Sequence, residues 1–100
     1  MRARVGLSAR AEKDWSRLDD VTRRRVLAEL NALASDPPLV VDERPLVGAE
    51  PWRRLRVGTW RVIFRALSPI ELKGFEQDRG YLVERVIRRR DLDRATKGLR

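Results

Sequence analysis

Neither cysteine nor histidine occurs in the 100 residues. Their absence removes disulfides, thiolate nucleophiles, the usual zinc ligand sets and every imidazole-based acid-base mechanism. Chemistry here would rest on Arg, Lys, Asp, Glu, Tyr or Ser, with no metal and no cofactor expected. No apolar run approaches the roughly 20 residues of a membrane-spanning helix, and the opening "MRARVGLSAR" lacks the apolar core of a signal peptide. A cytoplasmic protein without membrane contact is the expectation. Acidic residues are also in deficit, 15 against 23 Lys and Arg, for a formal net charge of +8. Such a chain is drawn to polyanions or to an acidic protein partner. Nearly all of the cations are arginine, suited to bidentate binding of phosphate or carboxylate, although GC-rich coding produces the same bias. One hundred residues suffice for one core, so residues 1–100 are read as a single domain.

Residues 2–7, "RARVGL", alternate and predict a strand, and Ser8 suits the N-cap of a following helix in which Ala11, Trp15 and Leu18 form one stripe. Asp19 or Asp20 caps a second helix, with Val26, Leu27, Leu30, Leu33 and Ala34 at helical spacing. The prolines of "SDPP" at 35–38 stop it. Residues 39–50 show no period and read as a connector. Period-two runs at 52–57 and 60–66 flank Gly58-Thr59, a pair suited to a two-residue hairpin turn. Residues 67–80 read as a loop, 81–89 as a further strand, and the tail as a last helical turn. The order predicts an α+β fold, in which an N-terminal strand and a helical hairpin pack on a largely antiparallel sheet ending in a three-strand meander.

With Gly58 and Thr59 as the loop, Arg56 falls opposite Arg61 and Trp52 opposite Arg65. Leu55, Val57, Trp60, Val62 and Phe64 then share the face that receives the helices. Arg54, Arg56, Arg61 and Arg65 share the other with Trp52 and Ile63, and "RVIRRRD" adds Arg88, Arg89 and Arg90. Two readings fit: a solvated charged face, or a surface for single-stranded RNA, with phosphate contacts from Arg56, Arg65, Arg88 and Arg90 and base stacking on Trp52. Trp15 and Trp60 are expected in the core.

"PWRRLRVGTWRVIFR" followed by "YLVERVIRRRDLDRA", with the helical "SARAEKDWSRLDDVTRRRVLAELNALASDP", resembles the RelE/ParE superfamily of type II toxin-antitoxin toxins over almost the full chain. The resemblance implies a small metal-independent ribonuclease that cuts mRNA on the ribosome and is silenced by an acidic antitoxin in a hetero-oligomer. It carries a phosphate-stabilising role to Arg54, Arg61 and Arg89. The family's C-terminal tyrosine is missing, its position falling on Asp93 or Ala95, and a family lysine is replaced by Trp52. Cleavage by 2′-OH attack needs a base, which arginine supplies poorly. Asp93 or Glu84 is the candidate base, unless ribosomal groups compensate; Asp93 also suits a helix N-cap. A ParE-like gyrase poison and a non-catalytic binding protein of the same fold are the alternatives.

Overall fold

The computed structural model describes residues 2–99. Strand β1 (Arg4–Leu7) leads through Ser8 into helix α1 (Ala9–Ser16), and Asp19 opens helix α2 (Asp20–Ala34). Both predicted caps form: Ser8 Oγ accepts from the Ala11 N–H at 3.1 Å, and Asp19 Oδ1 from the Thr22 N–H at 2.7 Å. Each satisfies a donor that the first helical turn leaves without an intrahelical partner. The short strand β2 (Glu43–Pro45) precedes the hairpin of β3 (Arg53–Val57) and β4 (Trp60–Ala66). A one-turn helix α3 (Pro69–Leu72) separates this from β5 (Gly80–Arg88), and a 3-10 turn at Arg89–Asp91 runs into α4 (Leu92–Lys97).

The five strands lie in the order β1-β5-β4-β3-β2, antiparallel except where β1 pairs with β5. The hairpin register matches the reading from Gly58-Thr59, with Val57 opposite Trp60 and Arg56 opposite Arg61. Gly58 takes φ +60°, which a Cβ would disfavour. The helices cover one face. Val26, Leu30 and Leu33 of α2 and Ala11 of α1 pack against Leu55, Val57, Val62, Phe64, Val83 and Val86. Leu27 leaves the expected stripe and stays 48% exposed.

The other face departs from expectation. It is not open over its length, because Trp52 and Ile63 join Leu46, Ile87 and Ala95 in a second apolar cluster. The segment after β2 and helix α4 close over the far end of the sheet, burying Trp52 to 7% exposure. Trp52 also lies outside β3, so its expected pairing with Arg65 is absent from the ladder.

A bulge in β5 sets the second half of the sheet. Ile63 faces Arg85 while Phe64 faces Val83, which leaves Glu84 without an opposing residue. The extra residue moves Val86 onto the face of Val83 and places Arg88 opposite Trp60. At this point β1 has ended, so the outer edge of β5 needs another partner. Asp14 of α1 supplies it: its Oδ2 accepts from the Val86 N–H at 2.9 Å and from Arg85 Nε at 2.8 Å, while Oδ1 accepts from Arg85 Nη2 at 3.2 Å. One nearly buried carboxylate thus fixes a helix, a strand edge and a guanidinium.

Asp14→Ala strands both the Arg85 charge and the Val86 amide, and it should lower stability by about 3 kcal/mol or more. Urea unfolding should show a lower midpoint at unchanged slope; a midpoint within error of the parent's would contradict this role.

Candidate functional site

The hairpin turn and the end of β5 bring the arginines together. Arg61 projects from the first turn of β4, yet it is only 6% exposed. Its Nη1 donates to the carbonyls of Gly58 at 2.9 Å and Trp60 at 2.8 Å, so the side chain clasps the turn that precedes it. Burial lowers the pKa of this guanidinium, and repulsion from Arg56, Arg54 and Arg89 lowers it further, with Asp42 acting in the opposite sense. Four cationic groups therefore converge at one place. Arg54 is half-buried and Arg56 exposed. Asp42 approaches both, its Oδ1 3.8 Å from Arg54 Nη1 and its Oδ2 4.0 Å from Arg56 Nη1. Neither distance is a hydrogen bond, and Arg54 Nη1 is buried without one. Such a donor, left unmade beside other cations, favours entry of an anion.

Arg89 lies one residue beyond β5, at the start of the 3-10 turn rather than on the strand, and its backbone N–H donates to Thr59 O at 2.8 Å. Arg88, Arg89 and Arg90 are all exposed. With Thr59, Leu92 and Asp93 they line a cleft of about 570 Å³ beside the turn. Asp93 sits inside the first turn of α4; the N-cap position belongs to Asp91, whose side chain makes no capping bond. The cap expected of Asp93 is therefore not its role, and its carboxylate stands in the arginine cleft. Glu84, the other candidate base, borders a different cleft with Arg10, Trp52, Gly98 and Leu99.

Two sequence expectations for RNA contact are corrected. Buried Trp52 offers no face for a base. Arg65 is engaged by Glu71, Nη1 to Oε1 at 2.7 Å and Nη2 to Oε2 at 2.8 Å. Glu71 belongs to α3 within the stretch expected to be loop, where Ser68 and Glu71 form a reciprocal capping box. The Arg65 hydrogen bonds, followed by the Ser68 N–H, hold the Glu71 carboxyl at about 2, down from 4.5. Asp42 is the functional-site residue that the sequence left unmarked. It precedes a three-residue strand too short to show a period.

Comparison with known proteins places this fold among the small α+β toxins of the RelE/ParE superfamily. The chain is similar to the toxin in the RelB-RelE complex from Methanococcus jannaschii, with a TM-score of 0.65 and 16% identity over 90% of this chain and 96% of the other. It is also similar to that in the archaeal RelE-RelB complex from Pyrococcus horikoshii OT3, with a TM-score of 0.63 and 22% identity over 89% and 97%. For the RelBE2 complex from Mycobacterium tuberculosis the TM-score is 0.56 and the identity 23%, over 89% and 100%. At these identities the likeness is one of fold. The sequence profile of the ParE toxin of type II toxin-antitoxin systems matches residues 5–93, and the chain belongs to that family. No curated protein sequence matches it. Among the described residues, no helix is long and apolar enough to cross a membrane.

The depressed Glu71 value has a defined sign. Its contribution to stability is complete above about pH 4.5 and is lost as the pH falls toward 2. NMR titration of the Glu71 carboxyl should place it near 2 in the parent, and Arg65→Gln should move it up. A Glu71 that titrates near 4.5 in the parent would contradict the pairing.

Proposed function

We propose that this toxin is a ribosome-dependent mRNA endonuclease. The observation that carries the reading is the cross-strand pair Arg56 and Arg61, with Arg54 two residues along β3 and the Arg89 N–H bonded to Thr59 at the turn, an arrangement whose mutual repulsion an anion would relieve. Attack of a 2′-OH on the adjacent phosphate builds a dianionic phosphorane, and preorganised guanidinium groups stabilise that charge more than the monoanionic ground state. Arg54 and Arg89 contact the phosphate. Arg61 keeps the turn in place and adds its charge from beneath. Asp93 in the adjoining cleft is the carboxylate that takes the 2′-OH proton, in the place of a family residue that this chain lacks. The P–O5′ bond then breaks, leaving a 2′,3′-cyclic phosphate and a 5′-oxygen that takes a proton from water. Arg90 lines the approach to the cleft. The reaction proceeds in the cytoplasm on mRNA held by the ribosome.

The partner that restrains the toxin is an acidic antitoxin. The solved relatives are toxin-antitoxin complexes. The net charge of +8 favours electrostatic capture. Val40, Val47 and Ile70, between 83% and 100% exposed, offer apolar surface to a covering chain.

A second reading, inhibition of DNA gyrase, is favoured by the ParE profile and by the backbone hydrogen bonds that give Arg61 a structural reason to be present.

A cell-free translation reaction with mRNA ends mapped by primer extension tests the choice. Codon-positioned cuts that require ribosomes, and that fall at least 100-fold with Arg54→Gln, Arg89→Gln or Asp93→Asn while the fold is kept, are expected. Arg61 is the poorer probe because its loss also loosens the turn. Intact mRNA together with inhibited supercoiling would establish gyrase as the target.

A further inference from the structure

Several arginines of this chain are already engaged. Arg23 is bound to the carbonyls of Trp15 and Ser16, Arg79 to those that end α2, Arg53 to Glu43, Arg65 to Glu71 and Arg85 to Asp14. The far end of the second face is sealed by the Trp52 cluster. That end of the face is closed to a polyanion, whereas Arg25, Arg56, Arg88, Arg89 and Arg90 are exposed around the hairpin turn.

On the helix side of this turn stands an arrangement that neither the sequence reading nor the proposed chemistry uses. The β5 bulge sets Arg88 opposite Trp60, with the Arg88 Cζ 4.7 Å from the indole centroid. Trp60 is half-buried and Arg88 exposed, so one edge of a guanidinium-indole stack faces solvent. Beside it, the guanidinium of the exposed Arg25 on α2 rests on Gly58: a Cβ there would lie 2.7 Å from Arg25 Nη2 and 3.2 Å from Nη1. Arg25 comes from a different element and can meet the turn closely because glycine has no side chain. A planar stacking pair and an adjacent cation, bordering the same turn that the Arg89 backbone joins, fit consecutive nucleotides of a single strand.

We propose that the RNA strand crosses the crest of the β3–β4 turn, passing from the Arg54-Arg89 site to the helix side. There one base stacks on the Trp60-Arg88 pair and the neighbouring phosphate is held by Arg25. This extends the RNA reading above and rests on it. The stacking platform is thus Trp60 rather than Trp52, and α2 joins the nucleic-acid surface. A stack of this kind tolerates any base, so it adds affinity and direction without sequence choice.

The test measures binding of a single-stranded 2′-O-methyl oligonucleotide, which 2′-OH attack cannot cleave, by anisotropy and tryptophan fluorescence. Arg25→Gln should reduce the slope of log affinity against log salt by about 0.7, and Arg88→Gln should weaken binding by about threefold or more through loss of the stack. Trp60→Leu should weaken binding about tenfold and abolish the quenching that Trp52→Phe retains. Lys73→Gln, beyond the opposite end of β4, removes one charge and should leave affinity within twofold. An unchanged slope in Arg25→Gln and unchanged affinity in Arg88→Gln, with Arg89→Gln still weakening binding, would overturn the crest path while leaving the phosphate site standing. The same unchanged values with a weakened antitoxin complex would overturn it in favour of a protein surface. No binding by the parent protein would overturn this inference, while the ribosome-dependent cleavage reading stands or falls on the translation assay.

Discussion

The Arg61 guanidinium, closed over the carbonyls of Gly58 and Trp60, is the contact on which the architecture of the site depends. It braces a two-residue turn, and the turn fixes the register of β3 against β4. Side chains alternate along a strand, so a slip of one residue would drive Arg54, Arg56 and Arg61 into the helix-packed core and expose Leu55, Val57 and Val62. The register is therefore held from both sides, by burial on one face and by the clasp at the turn. The same contact sets Arg61 directly across from Arg56, a like-charge pair that costs a fraction of about 1 kcal/mol. The site is built at some expense to the fold, and an incoming phosphate reverses the sign of that term.

Carboxylates decide which arginines remain available. Glu71 engages Arg65 and Asp14 engages Arg85 through two oxygens each, and Glu43 takes Arg53. The Asp42 carbonyl accepts from the Arg56 N–H at 2.8 Å, but its carboxylate comes no nearer than 3.8 Å to the Arg54 guanidinium and 4.0 Å to that of Arg56. A loosely held carboxylate limits repulsion in the free protein and yields readily to a phosphate oxygen. The separation between engaged and available cations gives the basic chain a localised site, although its net charge is spread over the whole sequence.

The parts of the fold legible in the sequence are those with local causes. Ser8 and Asp19 announce their helices because capping is a matter of a few residues, and Gly58-Thr59 announces the hairpin because only certain pairs make so tight a turn. What was hidden depends on tertiary context. Strand β2 is three residues long and has no period to read. Helix α3 is a single turn, although the Ser68-Glu71 spacing of a capping box was visible in "SPIE". The bulge at Glu84 interrupts the alternation of β5, so counting by twos misassigns the faces beyond it. Trp52, expected on an open face, is closed over by α4, whereas Trp60, expected in the core, does pack against it and stays half-buried beneath Arg88. Of the candidate site, Arg61, Arg89 and Asp93 lie at the turn end of the hairpin and Arg54 further along β3, whereas Arg65 and Trp52 were absorbed by neighbours that sequence spacing does not reveal.

The central claim is that the arginine cluster is strained in the free protein and satisfied by an anion. Thermal unfolding of the parent and Arg56→Gln at low and high salt, each with and without a short RNA oligonucleotide, tests it most directly. At low salt without RNA the variant should melt about 2–4 °C higher, because one of the opposed charges is gone. The gap should shrink in high salt, and RNA should stabilise the parent more than the variant. A variant that melts lower than the parent at low salt, or that gains as much from RNA, would contradict the account.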